Sequence, residues 1–228
     1  MALSNTTTLT ALQVMQDAPV IPVIVLNDVA HAVPMARALV AGGIRMLEVT
    51  LRTAQALACM EAIARNVPEA VLGAGTVRSA ADARSAAAAG ARFAVSPGYT
   101  SAVGQACRDL GLPLLPGVAT GSEIMQCHQD GLTELKFFPA LQAGGVAMLK
   151  AWGGPFADIR FCPTGGVTPQ NAKELLALPN VVCVGGSSWY RRMRYCRVTG
   201  SASPGLPPRR GRWAEGRRGP RQPYFQKE

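Results

Sequence analysis

Short runs of β-branched and aliphatic residues recur along the chain and alternate with longer, alanine-rich segments. The longer segments, such as residues 33–41, 54–65, 80–89 and 169–178, carry apolar residues at helical spacing. Strand patterns that alternate with helical patterns indicate parallel βαβ units. Eight strand patterns are present, and they begin at Val20, Met46, Val71, Arg92, Leu112, Glu134, Ile159 and Val181.

Eight βα units predict an α/β fold of the (β/α)8 TIM-barrel type, in one domain that comprises residues 1–187. An open flavodoxin-like sheet is the alternative, but it needs only about five or six strands. Ser79 and Thr168 stand where two of the helices should begin, since both residue types cap helix N-termini. Residues 8–17 precede the first strand, and we expect them to form an extra helix across the lower end of the barrel.

The character of the sequence changes after residue 187. Residues 188–228 are rich in Arg, Gly and Pro without hydrophobic periodicity, which is typical of disorder. This tail holds 11 basic and 2 acidic residues, whereas residues 1–187 hold 12 of each, so the net charge of +9 belongs entirely to the tail. A barrel needs a helix here to cover the seam between its last and first strands. We expect that final helix to be missing, or replaced by the disordered tail.

Alternation along the strand patterns directs several polar side chains into the barrel. Side chains on a strand point alternately to the barrel interior and to the surrounding helices. Glu48 and Arg52 alternate with aliphatic residues on the second strand, and Lys136 and Phe138 occupy the inward positions of the sixth. The same count assigns Thr76, after the third strand, to the interior. Barrel enzymes collect their catalytic groups at this carboxyl end of the strands.

Lys136 lies in a Leu/Phe/Phe segment of a strand expected to be buried on both faces. A lysine more often packs its stem and extends its ammonium group to solvent. Burial of an unpaired lysine is costly, and desolvation favours the neutral amine that attacks carbonyl carbons. We therefore expect Lys136 to be a Schiff-base nucleophile. Glu48 and Arg52, which taken alone fit a structural ion pair, are expected to serve the same site.

Two glycine-rich strand ends predict a phosphate site. Thr164, Gly165 and Gly166 follow the seventh strand, and Gly186 and Ser187 end the eighth. Backbone N–H groups exposed at such turns bind phosphate, and barrels commonly place phosphate sites after these two strands. Because glycines also form tight turns without a ligand, it is the pairing of the two turns that carries the inference.

Composition disfavours several functional classes. No histidine or carboxylate cluster has metal-ligand spacing, so neither a metal nor another cofactor is expected. The six cysteines lie far apart, which is typical of reduced thiols in the cytoplasm. None of the apolar runs is long enough to span a bilayer, so no membrane partner is expected. The neutral body also gives no reason to expect a specific nucleic-acid partner.

The motifs together closely resemble those of the 2-keto-3-deoxy-6-phosphogluconate (KDPG) aldolase family, which also includes 4-hydroxy-2-oxoglutarate aldolases. In chain order they are PVIVL, LEVTLRT, GAGTV, SPG, LPGV, KFFPA, PTGGV and VGGS. The resemblance covers nearly all of the chain up to Ser187. Family members continue with a tryptophan, a short loop and a final helix, and this chain keeps only Ser188 and Trp189 of that pattern.

The resemblance implies a homotrimer of metal-free barrels that cleaves a keto acid phosphate, KDPG, to pyruvate and glyceraldehyde 3-phosphate. It implies that Lys136 forms the iminium with the keto carbon and that Glu48 is the general acid and base. Arg52 and Thr76 would bind the pyruvate carboxylate. The resemblance further assigns the pocket wall to Pro97 and Phe138, and the phosphate to Gly165, Gly166, Gly186 and Ser187.

Two other classes of function are compatible with parts of the sequence. One is a phosphate-binding barrel without covalent catalysis, such as an isomerase or a thiamine-phosphate-synthase-like enzyme, and the inward lysine argues against it. The other is an inactive scaffold or binding protein whose basic tail contacts nucleic acid or an acidic membrane. The tail has no repeating motif, which argues against this second class.

Overall fold

A computed structural model describes residues 9–189 of the chain. Within that range every strand is paired in parallel. The strands are β1 (Val20–Ile24), β2 (Met46–Thr50), β3 (Val71–Gly75), β4 (Phe93–Val95), β5 (Leu114–Leu115), β6 (Gly117–Val118), β7 (Glu134–Phe137), β8 (Arg160–Pro163) and β9 (Val184–Gly186). The helices are α1 (Ala11–Gln16), α2 (Ala32–Ala41), α3 (Ala56–Asn66), α4 (Ala80–Ala88), α5 (Ser101–Asp109), α6 (Gly121–Gln129), α7 (Gly145–Trp152) and α8 (Pro169–Leu176), with a 3-10 turn at Val29–His31.

The strands curl into a barrel. Strands β5-β4-β3-β2-β1-β9 form one sheet in that order, and β6-β7-β8 form a second. The two sheets are joined on one side by the chain itself, and on the other by bridges that pair Phe161 with Val181 and Thr164 with Gly185. The prediction of a parallel α/β barrel is therefore confirmed for this part of the chain.

The fifth strand of the barrel differs from its prediction because it is interrupted. Pro116 separates β5 from β6, and the two halves pair with different neighbours, β4 and β7. Proline has no N–H to contribute to a ladder, so a strand commonly breaks or bulges where it occurs. The Pro116 carbonyl still accepts a hydrogen bond from the Lys136 amide at 2.8 Å, which keeps the two sheets in contact.

Three apolar clusters fill the molecule. The first packs helices α2 to α5 against β1 to β5, and the second packs α6 to α8 against β6 to β9. The third occupies the barrel interior, where Phe93 is fully buried, and includes Val14 and Met15 of α1. The extra helix predicted ahead of the first strand is thus present, and it closes the lower end of the barrel.

Helix starts match the cap residues chosen from the sequence. The Ser79 hydroxyl accepts a hydrogen bond from the Asp82 amide at the start of α4. Thr168 forms a capping box with Asn171 at the start of α8, where Pro169 occupies the first helical position. Such caps satisfy backbone N–H groups that have no partner inside the helix.

The predicted domain boundary and disordered tail concern the end of the chain. Within the described residues, apolar packing continues past the proposed boundary at residue 187, since Trp189 is 3% exposed and lies in the second cluster. The predictions of a missing final helix and of disorder fall on residues 190–228, which are outside the described residues. None of the described helices is long and apolar enough to cross a membrane.

Candidate active site

A cavity of about 790 Å³ opens at the carboxyl ends of the strands. It is lined by inward side chains of β2 and β7 and by the loops after β1, β3, β4, β8 and β9. The structure brings all the predicted site residues to this one cavity: Glu48, Arg52, Thr76, Pro97, Lys136, Phe138, Thr164, Gly165, Gly166, Gly186 and Ser187.

Lys136 and Glu48 form a buried ion pair inside the barrel. The Lys136 Nζ atom lies 3.7 Å from Glu48 Oε1, and the two side chains are 8% and 4% exposed. Strand alternation produces the pair, because Leu47, Val49, Leu135 and Phe137 fill the helix-facing layers. Removal of water strengthens the attraction between these charges and makes each side chain dependent on the other. Glu48, which the sequence alone would also pair with Arg52, is therefore paired with Lys136.

The environment of this pair leaves it able to react. Glu48 Oε1 is buried and accepts no hydrogen bond from the residues described, so it remains an unused acceptor beside the amine. The Lys136 ammonium lies 5.0 Å from the centroid of the Phe138 ring, a distance at which the ring face attracts a cation. Gly75 makes room for the carboxylate, since a Cβ atom at that position would lie 2.3 Å from Glu48 Oε1.

Two buried thiols lie next to the pair. Cys162 is the register partner of Lys136 on β8, and it shares the interior cluster with Cys183. Burial raises the pKa of the Cys183 thiol well above its ordinary value, and a hydrogen bond with Cys162 and the negative charge of Glu48 act in the same direction. The Cys183 thiol is therefore held in its neutral form close to the ion pair.

Arg52 lies at the rim, two residues beyond the end of β2. Its side chain is exposed, and within residues 9–189 its guanidinium forms no ion pair or hydrogen bond. A guanidinium presents a planar fork of donors that matches a carboxylate. An unpaired Arg52 above a buried lysine can therefore bind the carboxylate of a keto acid whose carbonyl carbon reaches the amine.

Thr76 reaches the cavity for a different reason from the one predicted. The inward set of β3 includes Val71, whereas Leu72 and Ala74 pack against the helices, so simple alternation would point Thr76 outward. Thr76 instead has a φ of 64°, which is strained for a β-branched residue and redirects the chain at the strand end. The predicted location is right, and the alternation argument that led to it is wrong.

The glycine turn after β8 is held in a conformation that suits an anion. Gly165 and Gly166 have φ values of 103° and 72°, which residues with a side chain rarely adopt. Neither amide finds an acceptor among the described residues, and the same holds for the Ser187 amide after β9. The N-terminus of α8 lies just beyond this turn and adds the partial positive charge of its dipole.

Sequence reasoning missed the contribution of the first strand. Val23, Val25 and Asn27 also line the cavity, and so do Val167, Thr168 and Ser188. Ile21 lies in the barrel interior, so alternation along β1 predicts that Val23, Val25 and Asn27 face inward as well. The rule that identified Glu48 on β2 could therefore have identified these residues. No group of three or more metal-ligating side chains occurs in the part of the chain that is described.

By fold and site, the chain is an α/β barrel with a buried lysine–glutamate pair at the carboxyl end of its strands. The family model for KDPG and KHG aldolase matches residues 12–197. The chain therefore belongs to that aldolase family.

Curated relatives agree with this assignment. A 2-dehydro-3-deoxy-phosphogluconate aldolase of Pseudoalteromonas atlantica is 55% identical over 174 residues, which is 76% of this chain and 81% of the relative. A KHG/KDPG aldolase of Escherichia coli is 53% identical over 169 residues, which is 74% of this chain and 79% of the relative.

Solved structures give the same picture. A KDPG aldolase of Legionella pneumophila, with pyruvate captured as a covalent carbinolamine intermediate, has a TM-score of 0.81 and 45% identity, and the match covers 85% of this chain and 94% of the other. A KDPG aldolase of Zymomonas mobilis with 3-phosphoglycerate has a TM-score of 0.78 and 42% identity, and that match covers 86% and 96%.

Proposed function

We propose that this chain is a class I aldolase that cleaves KDPG to pyruvate and glyceraldehyde 3-phosphate. The observation that carries the proposal is the buried Lys136–Glu48 pair, with 3.7 Å between Nζ and Oε1, at the bottom of the cavity. An amine nucleophile needs a nearby group that moves protons, and this carboxylate is within reach of both the amine and a bound carbonyl oxygen.

The proposed reaction begins when Lys136 passes a proton to Glu48 and the neutral amine adds to the C2 carbonyl of KDPG. The protonated Glu48 then protonates the resulting hydroxyl, water leaves, and an iminium forms. The Glu48 carboxylate next takes the proton of the C4 hydroxyl, directly or through water, the C3–C4 bond breaks, glyceraldehyde 3-phosphate departs, and the bonding electrons pass into the iminium to give an enamine. Glu48 then delivers a proton to C3, directly or through water, and hydrolysis of the new iminium releases pyruvate and the free amine.

Substrate binding in this proposal divides between the two sides of the cavity. Arg52 and Thr76 bind the carboxylate on one side, while Pro97 and Phe138 form the wall along the carbon chain. The phosphate is held on the opposite side, where unpaired backbone amides and the N-terminus of α8 favour an anion. The residues proposed for that contact are Thr164, Gly165, Gly166, Gly186 and Ser187.

A second substrate, 4-hydroxy-2-oxoglutarate, is favoured by the family description and by the name of the Escherichia coli relative. The same chemistry at Lys136 cleaves it to pyruvate and glyoxylate, and its distal carboxylate takes the place of the phosphate. Cleavage assays of both substrates, run side by side, compare their kcat/KM values and show which one the enzyme prefers.

The remaining features of the proposal concern the whole protein. We place the enzyme in the cytoplasm, as a homotrimer of (β/α)8 barrels with residues 1–187 as the catalytic domain and with the helix after the last strand missing or replaced by the tail. The support for the location is that the described cysteines are all free thiols. The support for the assembly is the family resemblance.

Borohydride trapping tests the central claim. Incubation with pyruvate and borohydride is expected to add one reduced pyruvate to Lys136, because borohydride reduces an iminium to a stable secondary amine. Peptide mapping by mass spectrometry locates the adduct. Lys136→Met should abolish the labelling, while Lys150→Met, a change at an exposed helical lysine, should leave it intact. A folded wild-type enzyme that cleaves substrate without an adduct would instead favour non-covalent catalysis.

A further inference from the structure

The turn that carries Arg52 is a short segment between β2 and α3, from Leu51 to Gln55. Because the Arg52 guanidinium forms no hydrogen bond or ion pair with the described residues, no polar contact of its own side chain positions it. Its position over the cavity depends on the backbone of this turn. What holds the turn therefore decides where the guanidinium can reach.

The turn is attached on both sides to neighbouring strands. On the β3 side, the Leu51 amide donates a hydrogen bond to the Gly75 carbonyl at 2.8 Å, next to the strained Thr76. On the β1 side, the Thr53 hydroxyl donates a hydrogen bond to the Leu26 carbonyl. Arg52 is the single residue between these two attachments.

The hydroxyl of Thr53 is used differently from those of the other threonines near helix starts. Thr10, Thr100, Thr120 and Thr168 each accept a hydrogen bond from a backbone amide and cap a helix. At the start of α3 the N-cap residue is Gln55, which makes no side-chain cap, and Thr53 points its hydroxyl to β1 instead. Its hydrogen bond crosses from one strand end to the next and does not stabilise its own helix.

We propose that Thr53 is a positioning residue for carboxylate binding, acting through Arg52. The hydrogen bond to Leu26 joins the Arg52 turn to the end of β1, where Asn27 lines the same cavity. Without it, the Leu26 carbonyl loses its side-chain donor, and the Leu51 amide keeps the turn's remaining hydrogen bond to a neighbouring strand. The guanidinium then samples more positions, and binding of the substrate carboxylate weakens, while the Lys136–Glu48 pair keeps its geometry. The inference rests on the proposed role of Arg52.

Isosteric replacement of the hydroxyl tests the proposal. Thr53→Val is expected to raise KM for KDPG, and the pyruvate concentration that half-saturates borohydride trapping, by about three- to tenfold, which corresponds to the loss of one hydrogen bond. The value of kcat should change much less, since the reacting groups do not move. Thr53→Ser keeps the hydroxyl and should restore wild-type values. Thr133→Val is the matched control, because this half-buried hydroxyl bonds Glu134 at the opposite end of the barrel.

Introducing Thr53→Val into the Arg52→Ala variant separates an effect through Arg52 from a general loss of structure. If Thr53 acts through Arg52, Thr53→Val adds nothing to the binding defect of Arg52→Ala, so the two changes are non-additive. Additive effects, an equal fall in kcat, or an unchanged KM in Thr53→Val would each overturn the proposal. Should the valine variant fold poorly, Thr53→Ala gives the same comparison.

The outcomes also distinguish this inference from the proposed function. Loss of trapping in wild-type enzyme would contradict the Schiff-base chemistry itself. Normal trapping with an unaffected Arg52→Ala variant would contradict the role of Arg52 and, with it, the inference. A defective Arg52→Ala variant beside a normal Thr53→Val variant would overturn the inference alone.

Discussion

At the scale of single residues, the site depends on how closely Glu48 can approach Lys136. A buried carboxylate and a buried ammonium are each expensive to desolvate, and they offset that cost only when their geometry is good. The approach is possible because Gly75, on the neighbouring strand β3, has no side chain where the carboxylate lies. Gly75, which in the sequence is only one residue of the GAGTV motif, is thus a spacer for the Glu48 carboxylate.

Gly75→Ala is expected to disable the enzyme without unfolding it. The added Cβ would lie 2.3 Å from Glu48 Oε1, so the carboxylate must move away from the amine. A displacement of about 1 Å in a catalytic group costs on the order of 100-fold in rate, so kcat should fall by about that factor. Steady-state cleavage assays measure kcat, and circular dichroism verifies the fold.

Gly154→Ala is the control for that substitution. Gly154 is exposed, and its nearest neighbour to an added Cβ is at 3.9 Å, so this variant should keep wild-type kcat. Wild-type kcat in Gly75→Ala would show that the carboxylate can shift at no cost, and would contradict the spacer role.

At the scale of elements, local sequence signals located the helices well and the strands less completely. Caps at Ser79 and Thr168 are interactions within one turn of chain, so residue type and spacing are enough to recognise them. The sequence shows a proline, Pro116, at the point where the fifth strand breaks. It does not show that the first half pairs with β4 and the second with β7. Pairing depends on strands that are distant in the sequence, and the pattern within one strand does not contain it.

Ser79→Ala is expected to destabilise the protein by about 1 kcal/mol in free energy of unfolding, the usual value of an N-cap hydroxyl. The Asp82 amide at the start of α4 loses its acceptor, although Arg78 still donates its own amide to the Asp82 carboxylate. Urea unfolding followed by circular dichroism measures the change. Ser85→Ala, an exposed position within the same helix, should be neutral or slightly stabilising. Equal effects at both positions would mean that the cap contributes nothing.

At the scale of the whole molecule, closure of the barrel buries thiols in every part of the core. Cys59 and Cys107 lie on the buried faces of α3 and α5, Cys127 lies on the buried face of α6, and Cys162 and Cys183 lie inside the barrel. Burial raises the pKa of Cys107 to about 11, and raises that of Cys127 to about 12. Because the thiolate is the reactive form, these groups are protected chemically as well as sterically.

Thiol labelling at pH 8 is therefore expected to report on opening of the whole barrel. In native protein the five described cysteines should react far more slowly than a model thiol, and they should react together once urea reaches the unfolding transition. Mass spectrometry of alkylated peptides follows each cysteine separately, so Cys196 in the tail does not confuse the result. Fast labelling of Cys162 or Cys183 alone would show that the barrel opens locally beneath the active site.

The amino-acid sequence alone was sufficient to predict much of the fold and of the candidate site. Alternation determined that Glu48 and Lys136 face the same interior, because strand side chains alternate wherever the strand is placed. The motifs determined the family. The charge balance determined that the excess of basic residues belongs to residues 188–228.

Only the tertiary structure decided how the functional groups meet. It set the distance between the lysine and the carboxylate, and it brought Thr76 to the cavity through a backbone turn that alternation does not describe. Among residues 9–189 it also gives the Arg52 guanidinium no hydrogen bond or ion pair, on a turn that Thr53 joins to β1. These features arise where ends of different strands come together, and contacts between distant segments depend on barrel closure, which no local pattern encodes.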